Sequence, residues 1–351
     1  MSKKIVHVVG TGTIGEPLIG LLTHFQKELG IDEVTFHKHS VSDRPKVKAL
    51  VNRGAKLAVD GDKMDAFKAE GMPAVYTHEQ ALEQASVVID CSPKGLEMKE
   101  KVYKNYEHNT LGFIAQGSEF GFGKMYARGI NDEIIDITKD KYVHVVSCNT
   151  HNLSCLLQTL VLADGNDNLV EASFVCMRRA NDISQVKDFC PAPQVGSHKD
   201  GKFGTHHARD AHHLFQTKGL ELNLFSSAVK LNTQYMHSLW FDLRVKKATT
   251  KDELLKKIKG NDRIAVTDKK DANAVFSFGR DQGHFGRILN QTVIPTSTLH
   301  MPNENRIVGF CFTPQDGNSL LSSLAAAVRY LQPQDWEQRI QVLKPFFFDE
   351  V

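Results

Sequence analysis

The stretch IVHVVGTGTIG, residues 5–15, decides the fold class. Five apolar or β-branched residues read as a short buried strand. Gly10, Gly12 and Gly15 follow at once in the pattern G-x-G-x-x-G, and an apolar-periodic run over 14–29 reads as a helix. In such a strand–turn–helix the first glycine permits the tight turn. The second lets the backbone approach a pyrophosphate, and the third lets helix and strand pack closely. The helix start then offers unpaired N–H groups and a partial positive charge to phosphates. The expectation is a dinucleotide site, against the alternative of a merely tight turn.

Working outward, strand and helix signals alternate through the first 150 residues. Strands are expected at 33–38, 86–90, 111–116 and 142–147, and helices at 44–54, 62–70 and 93–105. That alternation implies an α/β, doubly wound Rossmann-type sheet. Beyond it the pattern changes. A helix is expected at 149–163, a loop-rich stretch at 180–213, and strands at 168–178, 238–245, 263–267, 274–278 and 306–313. These describe an α+β domain with a mixed or antiparallel sheet. A strongly apolar helix, 318–331, needs a partner to cover it.

The 351 residues are enough for two domains with ample cores. The net charge of +2 gives no general electrostatic case for nucleic acid or an anionic membrane surface. No run is long and apolar enough to span a bilayer, and the N-terminus reads as a first strand rather than a signal peptide. Six scattered cysteines fit a reduced, cytoplasmic protein better than a disulfide framework.

The end of the second strand bears on cofactor choice. An acid about 20 residues beyond the glycines would favour NAD. The chain instead reads Phe36-His37-Lys38-His39, with Arg44 shortly after, and places Asp32 and Glu33 at the opposite strand end. Cations there suit a 2′-phosphate, so NADP is favoured with NAD tolerated; a solvated basic loop is the alternative.

Cys148 follows YVHVVS and precedes NTHNLSCLL, so it sits where a strand hands over to a helix. A helix start favours thiolate over thiol, and Asn149 and Thr150 beside it can orient a carbonyl. A buried structural thiol is the competing reading. Sixteen histidines offer candidate bases, and position alone does not choose among them. His206, His207, His212 and His213 miss the spacing of a helical zinc pair, so no metal site is expected there. An anion site built with Arg178, Arg179 and Arg209 fits better.

Together these runs resemble the archaeal-type (type II) glyceraldehyde-3-phosphate dehydrogenases. The resemblance rests on VVSCNT at 145–150, joined by GTGTIG at 10–15, RPK at 44–46 and AQGSE at 115–119. RRAND at 178–182, THHARD at 205–210 and TQYMH at 233–237 complete it. It implies a nucleotide domain over 1–147 completed by the C-terminal helix within 316–351, a catalytic domain over 148–315, and a homotetramer. It implies Cys148 as nucleophile and His237 as catalytic base, with Arg178, His206 and His207 at the anion-binding positions and Asn149 and Thr150 lining the substrate. The cofactor would meet Gly10, Gly12, Thr13, Ile14, Gly15, Gln116 and Gly117, with Lys38 as its selecting lysine. Inorganic phosphate and an aldehyde or acyl phosphate would be the small-molecule partners.

Three departures bear on the anion pocket. His151 stands where the family has Thr, KDFCPAP replaces the run after the arginines, and an insertion near VGSHKDGKFG precedes the histidine pair. An acyl-CoA reductase of the same fold is therefore the alternative. A nucleotide-binding regulatory protein and a dehydrogenase without covalent catalysis are further competitors.

Overall fold

The computed structural model describes residues 3–181, 190–314 and 316–351. The chain divides into two compact units. One comprises residues 1–126, 135–145 and 320–344, and the other residues 127–134, 146–319 and 345–351.

In the first unit the strands are β1 (Ile5–Val9), β2 (Glu33–His37), β3 (Lys56–Val59), β4 (Tyr76–Thr77), β5 (Val87–Asp90), β6 (Gly112–Gly117), β7 (Lys124–Tyr126) and β8 (Tyr142–Val146). They form one sheet in the order β4-β3-β2-β1-β5-β6-β8-β7. β1 pairs in parallel with both β2 and β5, which places the strand-order reversal at the glycine turn. The helices α1 (Gly15–His24), α2 (Arg44–Asn52), α3 (Met64–Ala69), α4 (His78–Gln84) and α5 (Gly95–Lys101) connect the strands. The doubly wound reading is thus borne out. α1 is shorter than the expected 14–29 and closes at Phe25, whose N–H bonds the Leu21 carbonyl. Β-branched and aromatic side chains fill the interior, with Val88, Tyr103, Phe113 and Phe122 in one cluster. The apolar C-terminal helix finds its cover here. Leu320, Leu324 and Val328 are fully buried, and the Tyr330 ring occupies the space a Cβ at Gly112 would need.

The second unit holds β9 (Leu169–Arg178), β10 (Gln194–Val195), β11 (Leu224–Lys230), β12 (His237–Val245), β13 (Ile264–Thr267), β14 (Thr292–Pro295), β15 (His300–Asn303) and β16 (Arg306–Thr313). Its sheet is mixed: β9–β11 and β13–β14 are parallel, while β12 runs antiparallel to both β9 and β16. The helices are α6 (Cys148–Leu156), α7 (His206–Gln216), α8 (Lys251–Lys259), α9 (Ala272–Gln282) and α10 (Gly317–Leu331), the last passing into the first unit.

Two expectations are corrected. Residues 274–278 are part of α9, not a strand: AVFSF alternates, but burial falls on Val275 and Gly279, one helical turn apart. The expected loop 180–213 contains the start of α7, whose buried face (His207, Ala211, Leu214) has helical spacing hidden by polar residue types. β3, β11 and β14 lie outside every expected strand; each is short or polar enough to lose its period-2 signal. Asp182 of RRAND and residues 187–189 of KDFCPAP lie outside the described residues.

An unusual feature of the first unit is a buried histidine row. His7, in the middle of β1, bonds Thr35 Oγ1 at 2.7 Å and His78 Nδ1 at 3.3 Å. His78 stacks on His37 with ring centres 3.9 Å apart. Desolvation, with repulsion from the neighbouring imidazoles, holds His7 well below its usual range and His78 down at about 3. His37 is lowered too, by desolvation against the pull of Asp60. Folding therefore keeps His7 and His78 neutral, while the unfolded chain binds protons on them below about pH 6.5. Stability should be full above that pH and fall by up to about 1.4 kcal/mol per pH unit per histidine as pH drops towards 3. Urea midpoints at pH 7.5 and 5.0 check this, and His78→Phe should flatten the dependence.

Candidate active site

The glycine turn is built as its sequence suggests. Gly10 has φ +94°, a conformation L side chains avoid. A Cβ on Gly15 would come within 2.1 Å of the Gly10 carbonyl oxygen, so the third glycine is a steric requirement of strand–helix packing. A Cβ on Gly12 would meet nothing within 4 Å, which leaves that face of the turn open. Thr13 and Ile14 lead into α1, with Ile14 at its N-cap. Lys38 follows β2 half-buried, and desolvation pulls its ammonium below the usual lysine range despite Asp43. Glu33, at the other end of β2, is occupied by Lys56 at 2.6 Å and Tyr76 at 2.9 Å. Gln116 is buried and donates to Ser323 Oγ at 2.6 Å, while its Oε1 has no partner. Gly117 offers its carbonyl to His144 Nε2 at 2.9 Å.

In the second unit, Cys148 is the first residue of α6 and is half-exposed. Ser147 caps the helix, its Oγ 3.5 Å from the Thr150 N–H and 2.9 Å from the Thr150 hydroxyl. His151 is fully buried and donates from Nδ1 to the Ser147 carbonyl at 3.1 Å. The departure from the family's Thr therefore ties down the turn. Asn149 and Thr150 are buried and spend their polar groups inside the protein, Asn149 Oδ1 accepting from Thr313 Oγ1 at 3.0 Å. Asn152 donates to the same Thr313 oxygen at 2.8 Å. Asn318 donates to the Cys148 carbonyl at 2.9 Å.

Thr313 is the β16 partner of His237 in the sheet register, so the cysteine turn and His237 are tied to one strand end. His237 accepts the Arg179 N–H on its Nδ1 at 3.0 Å. Desolvation, then the charges of Arg179 and Arg178, keep the ring neutral. A neutral ring accepting at Nδ1 carries its proton on Nε2. The resemblance implies a base at this position; here the ring presents an N–H at Nε2.

Arg178, His206, His207, Lys199 and Arg209 line a cleft of about 520 Å³, with the N-terminus of α7 at its edge. His207 is 3% exposed and neither ring nitrogen has a hydrogen-bond partner. Desolvation first, then His206, Arg178 and His237, depress its pKa. His206 falls to about 4 by desolvation and then the charges of Arg178 and Arg209. His212 and His213 take no part: one bonds the Leu222 carbonyl and the other Gln216.

Burial disfavours the thiolate at three other cysteines. Desolvation pushes Cys155 up to about 11 and Cys311 up to about 12, and raises Cys176 further still. No cysteine is in a disulfide. Sequence reasoning missed Thr313, Asp316 and Asn318, which carry no motif and act only by where β16 ends. Asp316 forms a buried ion pair with Arg179 at 3.2 Å and so fixes the residue that holds His237.

A nucleotide-fold unit joined to a unit with a helix-start cysteine, a histidine and a cationic cleft defines the class. No family model matches the chain. It is similar to glyceraldehyde-3-phosphate dehydrogenase 1 of Methanosarcina barkeri, 27% identical over 269 residues, or 72% of this chain and 70% of the relative. The glyceraldehyde-3-phosphate dehydrogenases of Sulfolobus acidocaldarius (24%, covering 88% and 86%) and Pyrobaculum neutrophilum (26%, covering 79% and 78%) are similar too. The resemblance to the archaeal-type family is borne out along most of the chain. Among the described residues no helix is long and apolar enough to cross a membrane.

Asp316→Ala removes a buried carboxylate partner of Arg179 and should cost about 1–3 kcal/mol of stability by urea denaturation.

Proposed function

We propose that the protein is a phosphorylating glyceraldehyde-3-phosphate dehydrogenase that favours NADP, accepts NAD, and works through a thioester on Cys148. It is a nicotinamide-dependent oxidoreductase acting on an aldehyde. The observation that carries the finer reading is the second unit's assembly of three things. These are a half-exposed thiol at a pinned helix start, a neutral histidine tied to the same strand end, and a cationic cleft with an unsatisfied buried imidazole.

In this reading the Cys148 sulfur adds to the aldehyde carbon and the carbonyl oxygen becomes an alkoxide. His237, as donor at Nε2, and the N–H groups of the α6 start stabilise that charge. Asn149 and Thr150 act by shaping the turn. A nicotinamide held at the glycine turn would supply the hydride acceptor, and Cys148 would then carry the oxidised carbon as a thioester. Phosphate attacks the thioester carbon, the C–S bond breaks, and the acyl phosphate departs with the thiolate restored and the phosphate proton released. Arg178, His206 and His207 hold the phosphate groups. Lys38 selects the 2′-phosphate, since the end of β2 reads His37-Lys38-His39 and carries no acid of its own. We read the glycine turn with Gln116 and Gly117 as the cofactor's seat, the molecule as a cytoplasmic homotetramer, and nucleic acid as no partner.

A panel of glyceraldehyde 3-phosphate with phosphate and either cofactor, and of 1,3-bisphosphoglycerate beside several acyl-CoAs with NADPH, tests this. The acyl phosphate should be reduced and the acyl-CoAs should not; the opposite pattern assigns an acyl-CoA reductase. Cys148→Ser should lower turnover at least about a thousandfold with little loss of dinucleotide affinity. Lys38→Ala should weaken NADP by about tenfold or more and NAD far less. Equal losses for both cofactors would refute the lysine's role.

A further inference from the structure

The carboxyl edge of the first unit's sheet carries a cluster that the proposed reaction does not use. β2 ends at His37, His39 lies two residues on, and Asp60 follows β3. The Asp60 carboxylate bridges the two imidazoles, with Oδ1 2.9 Å from His37 Nε2 and Oδ2 2.9 Å from His39 Nδ1. One ligand atom from each residue lies within 4.8 Å of the others. A cation already stands among them: Lys63 Nζ is 2.8 Å from Asp60 Oδ2, 3.2 Å from His39 Nδ1 and 2.8 Å from the His39 carbonyl.

We propose that His37, His39 and Asp60 form a binding site for a divalent transition metal of the zinc type, which Lys63 occupies with its ammonium until the metal displaces it. Two imidazoles and one carboxylate are a ligand set for zinc, cobalt or nickel rather than magnesium or calcium. Three protein ligands leave a fourth position for water or a ligand oxygen.

The ligands differ in a useful way. His37 is buried, and its ring is fixed by the stack on His78. Ring fixing of this kind preorganises a metal site. The His39 side chain is 78% exposed, so the cluster opens to solvent and an ion can enter. Lys63 ends a single 3-10 turn, Gly61–Lys63, and its side chain is 29% exposed, so it can swing outward. A lysine ammonium neutralises the charge on Asp60 and reaches one imidazole nitrogen, His39 Nδ1. A divalent ion uses all three groups.

This inference does not rest on the proposed reaction, and its test reads metal alone. Zinc is titrated calorimetrically into the full chain after iodoacetamide has blocked accessible thiols. One equivalent should bind, magnesium should give no such isotherm, and cobalt should show d–d bands without sulfur charge transfer. His39→Ala, at an exposed position that folding tolerates, should weaken zinc at least about tenfold. Lys63→Ala should tighten it, because the competing ammonium is gone. Absence of stoichiometric uptake, or zinc binding unchanged in both His39→Ala and Asp60→Asn, would overturn the proposal. So would a Lys63→Ala variant that binds zinc more weakly.

Discussion

The proposed chemistry depends on one mechanical constraint, the anchoring of the α6 start to the end of β16. Thr313 accepts from Asn152 and donates to Asn149, and Asn318 holds the Cys148 carbonyl. The side chains on both sides of the cysteine are thereby consumed in placing it. A nucleophile needs fixed geometry more than it needs polar neighbours, and here buried hydrogen bonds supply that rigidity where none is lost to solvent. The same strand end reaches His237 through the sheet register, so a shift of β16 would move the thiol and the imidazole together.

Histidine is used in three distinct ways. In the first unit a row of rings is buried and neutral, a packing element that acid would disrupt. His151 has become a structural tie in the cysteine turn. Among the described residues, His207 alone combines deep burial with two unsatisfied ring nitrogens, and a buried polar group without a partner is costly unless a ligand completes it. Composition could not sort these roles, because they differ only in what each ring faces.

Much of the architecture was legible in residues 5–15, where steric demands act over a few neighbouring positions. The Gly15 contact with Gly10 is such a demand. Cys148 was legible for the same reason: a strand-to-helix handover is a local pattern. What stayed hidden was long-range. Asp316 and Asn318 lie about 170 residues from the turn that Asn318 bonds, and nothing in DGNS signals a buried ion pair. AVFSF at 274–278 misled because five residues cannot separate a period of two from 3.6. The tautomer of His237 depends on an Arg179 N–H delivered by β-sheet geometry, which no spacing rule contains.

The most direct measurement is to trap the covalent intermediate. Enzyme, aldehyde phosphate and oxidised cofactor are mixed without inorganic phosphate, quenched in acid, and mapped by peptide mass spectrometry. The account predicts one equivalent of reduced cofactor in a burst and an acyl adduct on the peptide bearing Cys148. A burst with the adduct on another residue, or steady turnover with Cys148 unmodified, would contradict it.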